Sequence, residues 1–205
     1  MSCRNRYPQW QGAEALLQKA CISAGGLCEE PRKNPHLWKR WKRSRCRAYC
    51  GRTDEILLLP RSLPESFCSR AKKLYPQHAD ALTRLQGGIA AIPLVSGVAL
   101  PTAFANDVDG QLCFAQQVYA LARPGDVVWG ISTSGNSANV NQALRVARLL
   151  SCRTLGLTGK DGGEMASLLD VELRAPASST PQVQELHLPL YHALCACIEV
   201  SIFGE

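Results

Sequence analysis

Residues 130–140 read GISTSGNSANV, where Ser132, Thr133, Ser134 and Ser137 carry hydroxyls around Gly135. The apolar run DVVWGIS (126–132) leads into this stretch and the helical pattern NVNQALRVARLL (139–150) leaves it. A helix start has unpaired backbone N–H groups and the positive end of a dipole. Hydroxyl donors and a tight glycine turn at that point make an anion cradle, and phosphate is its commonest occupant. A plain N-cap is the competing reading, yet one serine is enough for a cap. The loop holds no lysine and no Walker pattern, so it suits the phosphate of a small molecule rather than a nucleotide P-loop.

Three further clusters could take part. Asn106 and Asp107, in TAFANDV, follow the apolar stretch AAIPLVS and are expected near the same sheet edge, where open α/β sheets bind ligands. An Asx turn or a helix cap is the plainer alternative there. LTGKDGG (157–163) is another strand-to-loop transition, in which Lys160 is either a phosphate counter-ion or part of a simple turn. The closing pattern VQELHLPLYHALCACIEVSIF (183–203) carries Gln184, Glu185, His187 and His192. Gln184 and His192 stand eight residues apart, roughly 12 Å along an ideal helix. They can share one ion only if their side chains converge, the first turn is irregular, or two subunits contribute. A histidine in an apolar helix is more often a hydrogen-bonded core residue than a ligand.

The elements that must hold these residues alternate. AAIPLVS reads as a short buried strand, DGQLCFAQQVYALA (109–122) as an amphipathic helix, and DVVWGIS as a strand buried on both faces. NVNQALRVARLL is a helix with Val140, Leu144, Ala147 and Leu150 along one side. TLGLTG (154–159) and VELRAP are further strands, separated by the short helix EMASLLD. Upstream, QGAEALLQKA (11–20), SFCSRAKKLY and ADALTRL have helical spacing, the last two around Pro76. Strand–helix–strand repeats with short connections predict an α/β fold with a central parallel sheet covered on both faces. A chain of 205 residues fits a single domain.

The formal net charge is +6, but nine Lys and Arg fall between residues 32 and 52, a window without Asp or Glu. Without those nine the rest stands at −3. The basic balance belongs to one segment, so a general nucleic-acid surface is not implied. The ten cysteines show no framework or zinc-finger spacing, and several sit in apolar runs, which fits a reducing, cytoplasmic setting. MSCRNRYPQW lacks the apolar core of a signal peptide. GGIAAIPLVSGVALPTAFA (87–105) is the stretch that tempts a membrane reading, but Pro93, Gly97 and Pro101 interrupt it and no membrane partner is expected.

Taken together, GISTSGNSANV, LTGKDGG and VQELHLPLYHALCACIE resemble the sugar isomerase (SIS) domain family, and more closely its phosphoheptose isomerases, from about residue 58 to 200. The resemblance implies a flavodoxin-like three-layer αβα sandwich, a homotetramer and a sugar-phosphate substrate. It implies phosphate held by Ser132, Thr133, Ser134 and Ser137, and sugar contacts from Asn106, Asp107 and Gln184. It further implies zinc, with Gln184 and His192 as two of four ligands and His192 also in proton transfer. The reaction so implied is the conversion of sedoheptulose 7-phosphate to D-glycero-D-manno-heptose 7-phosphate. A non-catalytic phosphosugar-binding regulatory module with a protein partner is the alternative.

Members of this family carry a loop like CGNGGSAAD followed by AEHIVGELM, where substrate contacts, the other two zinc ligands and the expected catalytic base reside. Here that place is taken by WKRWKRSRCRAYC (38–50), with six basic residues, two Trp and two Cys. Tryptophan has one codon, TGG, and a reading displaced by one nucleotide begins GG, which always encodes glycine. Trp38 and Trp41 therefore become glycines, and codons exist by which the displaced reading of residues 38–54 spells GNGGSAADAEHIVGELM. We read residues from about 30–34 to 55–57 as translated out of frame, with the frame restored before LLPRSLPE. The alternatives are a basic nucleic-acid arm, or a metal site using His36, Cys46 and Cys50. An out-of-frame segment predicts weak zinc binding, little activity and poor order over residues 28–57.

Overall fold

The computed structural model describes residues 58–96 and 99–204. The expected helix at 11–20 and the basic segment at 30–57 lie outside them. Among the described residues the chain begins with α1 (Glu65–Leu74), a turn at Pro76–His78 and α2 (Ala79–Leu82). Then come α3 (Ala99–Phe104), α4 (Cys113–Leu121), β1 (Val127–Ile131), α5 (Ala138–Leu149), β2 (Arg153–Thr158), β3 (Val171–Arg174) and α6 (Thr180–Phe203).

The strands form a parallel sheet in the order β1-β2-β3, with Trp129 opposite Leu155 and Leu155 opposite Val171. Because side chains alternate along a strand, residues in register share a face. Val127, Trp129, Leu155, Leu157, Val171 and Leu173 point one way and pack against Leu190, Leu194 and Ile198 of α6. Val128 points the other way, into Val118 and Ala122 at α4, Ala143, Leu144 and Ala147 of α5, and Met165. Two cores on opposite faces of one parallel sheet give the predicted three layers.

The stretch AAIPLVS (90–96) is not a strand. Pro93 has no N–H to give a ladder, and its carbonyl accepts from Ser96 N–H at 3.2 Å to form a turn. Ile89 and Ala91 pack into the α6-side core and Leu94 into the other, so the segment fills space beside the sheet. It is anchored by Gln117, whose amide Nε2 donates to the Leu94 carbonyl at 3.0 Å. Nor is residues 87–105 the apolar stretch of spanning length. That is α6, the one described helix long and apolar enough to cross a membrane. Its residues Val183, His187, Leu190, Leu194 and Ile198 are buried, and three of these pack on the sheet as the core helix of this layer.

The far half of α6 is tied to the first described residues by a buried ion pair. Arg61 and Glu199 are 4% and 0% exposed, and Arg61 Nε donates to Glu199 Oε1 at 2.8 Å. Leu58 N–H donates to the other carboxylate oxygen at 2.7 Å, and the guanidinium lies 5.2 Å from the centroid of the Phe203 ring. Replacing one partner strands a buried charge. Glu199→Ala is expected to cost about 3–5 kcal/mol in denaturant unfolding, and a loss below about 1 kcal/mol would show that the pair does not tie these segments together.

Candidate functional site

The Ser/Thr loop lies at the carboxyl end of β1. Ser132 N–H donates to the Leu157 carbonyl at 3.0 Å, extending the β1–β2 ladder one residue past the strand and fixing where the loop begins. Ser132 is buried, while Thr133, Ser134 and Ser137 are half-buried, so their hydroxyls line a partly desolvated rim. The Ser132 and Ser137 hydroxyl oxygens lie 2.8 Å apart and close the loop into a ring. Ser137 is the N-cap residue of α5, yet its hydroxyl does not cap the helix. Val140 N–H in the first turn of α5 donates to Asn139 Oδ1 at 2.9 Å, which leaves the Ala138 and Asn139 N–H groups for an anion.

The ring is clamped from beneath. Gly135 has φ +68, and a Cβ there would sit 1.9 Å from the Gly162 carbonyl oxygen. Gly163 likewise lies against the Ser134 carbonyl, 2.5 Å from where its own Cβ would be. Hence LTGKDGG works chiefly as the support of the Ser/Thr loop. Lys160 itself is exposed at φ 51, and its N–H donates to the Ala177 carbonyl at 2.9 Å. Its side chain borders an open cleft of about 740 Å³, shared with Ser178, Gln182, Glu185 and Leu186. Gly159, the preceding residue, sits between the Thr133 carbonyl and Val183, so loop and cleft share a wall.

Asn106 and Asp107 do not follow a strand. They stand in a wide helical turn, Ala105–Asp109, continuous with α3, and both are exposed. The helix cap expected of one of them is made by Asp109, whose Oδ1 accepts from Gln111 N–H at 2.8 Å. The next turn, Gly110–Leu112, packs on α5.

On α6, the helix is continuous from Thr180 to Phe203 through Pro189. The irregular first turn that could bring Gln184 to His192 is absent. Gln184 is exposed; His192 is half-buried with its ring 4.6 Å from that of Tyr191. Among the described residues no three His, Cys, Asp or Glu side chains gather to hold a metal ion. With the helix regular, Gln184 and His192 can share an ion only if their side chains converge or a second subunit contributes, and no third donor joins them among the described residues.

His187 is the core histidine foreseen for an apolar helix. It is 7% exposed, and its Nε2 lies 2.8 Å from the Thr158 carbonyl oxygen. A carbonyl only accepts, so Nε2 carries the proton. Burial lowers its pKa below the ordinary histidine value, and the bond to Thr158 partly offsets that. In the unfolded chain the same imidazole takes up a proton below about pH 6.5. Between that pH and the lowered folded value the unfolded state binds more protons, so stability is full above this window and lost as pH falls through it. The melting temperature of the wild type, relative to His187→Gln, is expected to decline as pH drops from 7 to 5. A constant difference would refute the assignment.

Sequence reasoning missed the polar group under the loop. Asn141 is wholly buried, and its Nδ2 donates to the Gly135 carbonyl at 3.3 Å and to Glu164 Oε2 at 3.0 Å. The available signal was an amide lying three residues before Leu144, on the apolar side of α5.

The SIS domain family pattern matches residues 79–159. The phosphoheptose isomerase of Geotalea daltonii is 50% identical over 118 residues, 58% of this chain and 62% of the relative. That of Trichlorobacter lovleyi is 50% identical over 117 residues, 57% and 60% of the two chains. The chain thus spans less than two thirds of these relatives' length. Among solved structures, phosphoheptose isomerase GmhA from Neisseria gonorrhoeae matches with a TM-score of 0.62 at 32% identity, covering 92% of this chain and 90% of that one. A phosphoheptose isomerase from Francisella tularensis matches in fold with a TM-score of 0.58 at 24% identity, over 97% and 98% of the two chains. A parallel sheet between two helical layers, a hydroxyl-lined loop at its carboxyl edge and these similarities together place the chain in the family of SIS-domain proteins that includes the phosphoheptose isomerases.

Proposed function

We propose that this fold serves an aldose–ketose isomerase acting on a seven-carbon sugar phosphate, sedoheptulose 7-phosphate to D-glycero-D-manno-heptose 7-phosphate. The observation that carries this reading is the ring of Ser132, Thr133, Ser134 and Ser137 at a helix start that the Ser137 hydroxyl does not cap. Such a site holds a phosphate dianion by hydroxyl and amide donors alone. With the phosphate there, the sugar extends along the sheet edge, where Asn106, Asp107 and Gln184 are the assigned contacts for its hydroxyls. His192 is the assigned proton carrier. Moving a carbonyl between adjacent carbons requires removal of a proton from one, an enediolate, and delivery of a proton to the other, so a base and an acid must both be positioned.

The described residues hold the phosphate grip and one proton carrier, but no second group is assigned as the base. The restored reading of residues 38–54 supplies one, and we infer that the segment is out of frame in the sequence as it stands. In support, the identity to the relatives extends over 118 residues, 58% of this chain, and leaves the rest of their length unmatched. Zinc belongs to this proposal only with donors from that restored segment or from a second copy. A homotetramer is also proposed. α6 is apolar around most of its circumference, and Leu188 and Val200 are 57% and 50% exposed on it, a pattern expected of a helix that a neighbouring subunit covers. A cytoplasmic setting is proposed with the substrate class. The test is turnover of sedoheptulose 7-phosphate by the frame-restored chain with zinc added, and absence of turnover there overturns the isomerase reading.

A further inference from the structure

We propose that Asn141 and Glu164 are positioning residues that set the Ser/Thr loop in its anion-binding form, an inference that rests on the phosphate reading of that loop. The Gly135 carbonyl accepts from Met165 N–H at 2.9 Å and from Asn141 Nδ2 at 3.3 Å, so it is drawn down into the protein. Across a trans peptide the carbonyl and the next N–H point in opposite directions. Drawing the Gly135 carbonyl inward therefore turns Asn136 N–H outward, where it meets the Ser134 hydroxyl at 3.2 Å. The opposite orientation presents a carbonyl oxygen to an incoming dianion and repels it.

Asn141 cannot do this unaided. Its second Nδ2 proton goes to Glu164 Oε2 at 3.0 Å, which fixes the amide's rotation. Glu164 is held in turn by Arg145, whose guanidinium pairs with Oε1, and by its own backbone, where Glu164 N–H donates to Asn136 Oδ1 at 2.9 Å. The Arg145 charge also offsets a carboxylate that otherwise stands close to an anion site. Asn141 Oδ1 is buried with no hydrogen-bond partner, a cost that an apolar residue would avoid. What the asparagine gives in return is the two donor bonds that orient Gly135 and engage Glu164.

The test uses the full chain, inorganic phosphate as the probe, and three variants. Asn141→Leu removes the donors without leaving a hole. Glu164→Ala removes the anchor at an exposed position, where folding is not at risk. Glu164→Gln keeps an acceptor for Asn141. Phosphate Kd from calorimetry is expected to rise about tenfold or more in Asn141→Leu, several-fold in Glu164→Ala and by no more than about twofold in Glu164→Gln. Melting temperatures taken in parallel separate loss of the grip from loss of the fold. Amide exchange of Asn136 and Met165 in the ligand-free chain is expected to quicken in the first two variants and hold in the third. Phosphate affinity and exchange at wild-type levels in Asn141→Leu and Glu164→Ala overturn the proposal. Should the wild type not bind phosphate, the phosphate reading falls, and the exchange rates alone decide whether this bracket positions the loop.

Discussion

Restoring the reading frame over residues 38–54 is expected to raise sedoheptulose 7-phosphate turnover by about a hundredfold to ten-thousandfold, the range that one well-placed general base contributes. On the proposed reading, the chain as it stands keeps His192 and the hydroxyl ring, and the displaced reading of residues 38–54 adds the base. Phosphate affinity should differ far less between the two chains, because the ring is built from residues 132–137 and supported by 162–165. The effect therefore falls on kcat, and a matched pair of proteins assayed with and without zinc reads it directly. Equal activity of the two chains would remove the frame argument. Phosphate binding without turnover in the restored chain would favour the non-catalytic phosphosugar module. The gene's nucleotides over residues 27–60 provide an independent check, since codons that cannot spell GNGGSAADAEHIVGELM end the frameshift reading at once.

Gly135→Val is expected to abolish measurable phosphate binding, a loss of about 100-fold or more, and to destabilise the fold by about 3 kcal/mol or more. Two causes act together. A β-branched residue at φ +68 is strained by its own backbone, and its Cβ would stand 1.9 Å and 2.4 Å from the Gly162 carbonyl oxygen and carbon. Backbone on the opposite side cannot step aside as a flexible side chain can. The loop must therefore lift off the 162–165 turn, and the bonds from Met165 N–H and Asn141 to the Gly135 carbonyl go with it. Gly125→Ala is the control. Its φ is +87, but nothing lies within 4 Å of the added carbon. It should cost about 1 kcal/mol of strain and leave phosphate affinity alone. Calorimetry with inorganic phosphate and thermal melting on both variants decide it. Equal phosphate affinity in Gly135→Val would mean that the Gly135 turn is not part of the grip.

The strands and helices after residue 109 were legible because their periods are those of buried elements. Continuous apolar runs gave β1 and β2, helical spacing of apolar residues gave α4 and α5, and a long apolar run gave α6. The apolar stretch 90–96 misled because hydrophobicity reports burial, not pairing. Ala91 and Leu94 indeed pack against the cores, but Pro93 turns the chain where a ladder would continue. Asn106 and Asp107 were placed at a strand end for the same reason, and they stand instead in a helical turn.

At the site, the sequence by itself determined which atoms could grip an anion. Hydroxyl side chains, a turn glycine and a helix start are local properties, set by residue type and by neighbours a few positions away. Tertiary structure alone decided what holds that loop in shape and which distant groups join it. Asn141 reaches Gly135 and Glu164 only because α5 and the 162–165 turn pack against each other, and the strain that makes Gly135 necessary comes from Gly162, far along the chain. The regular course of α6 likewise decided that Gln184 and His192 stay two turns apart, since a rigid helix fixes spacing that side-chain chemistry leaves open.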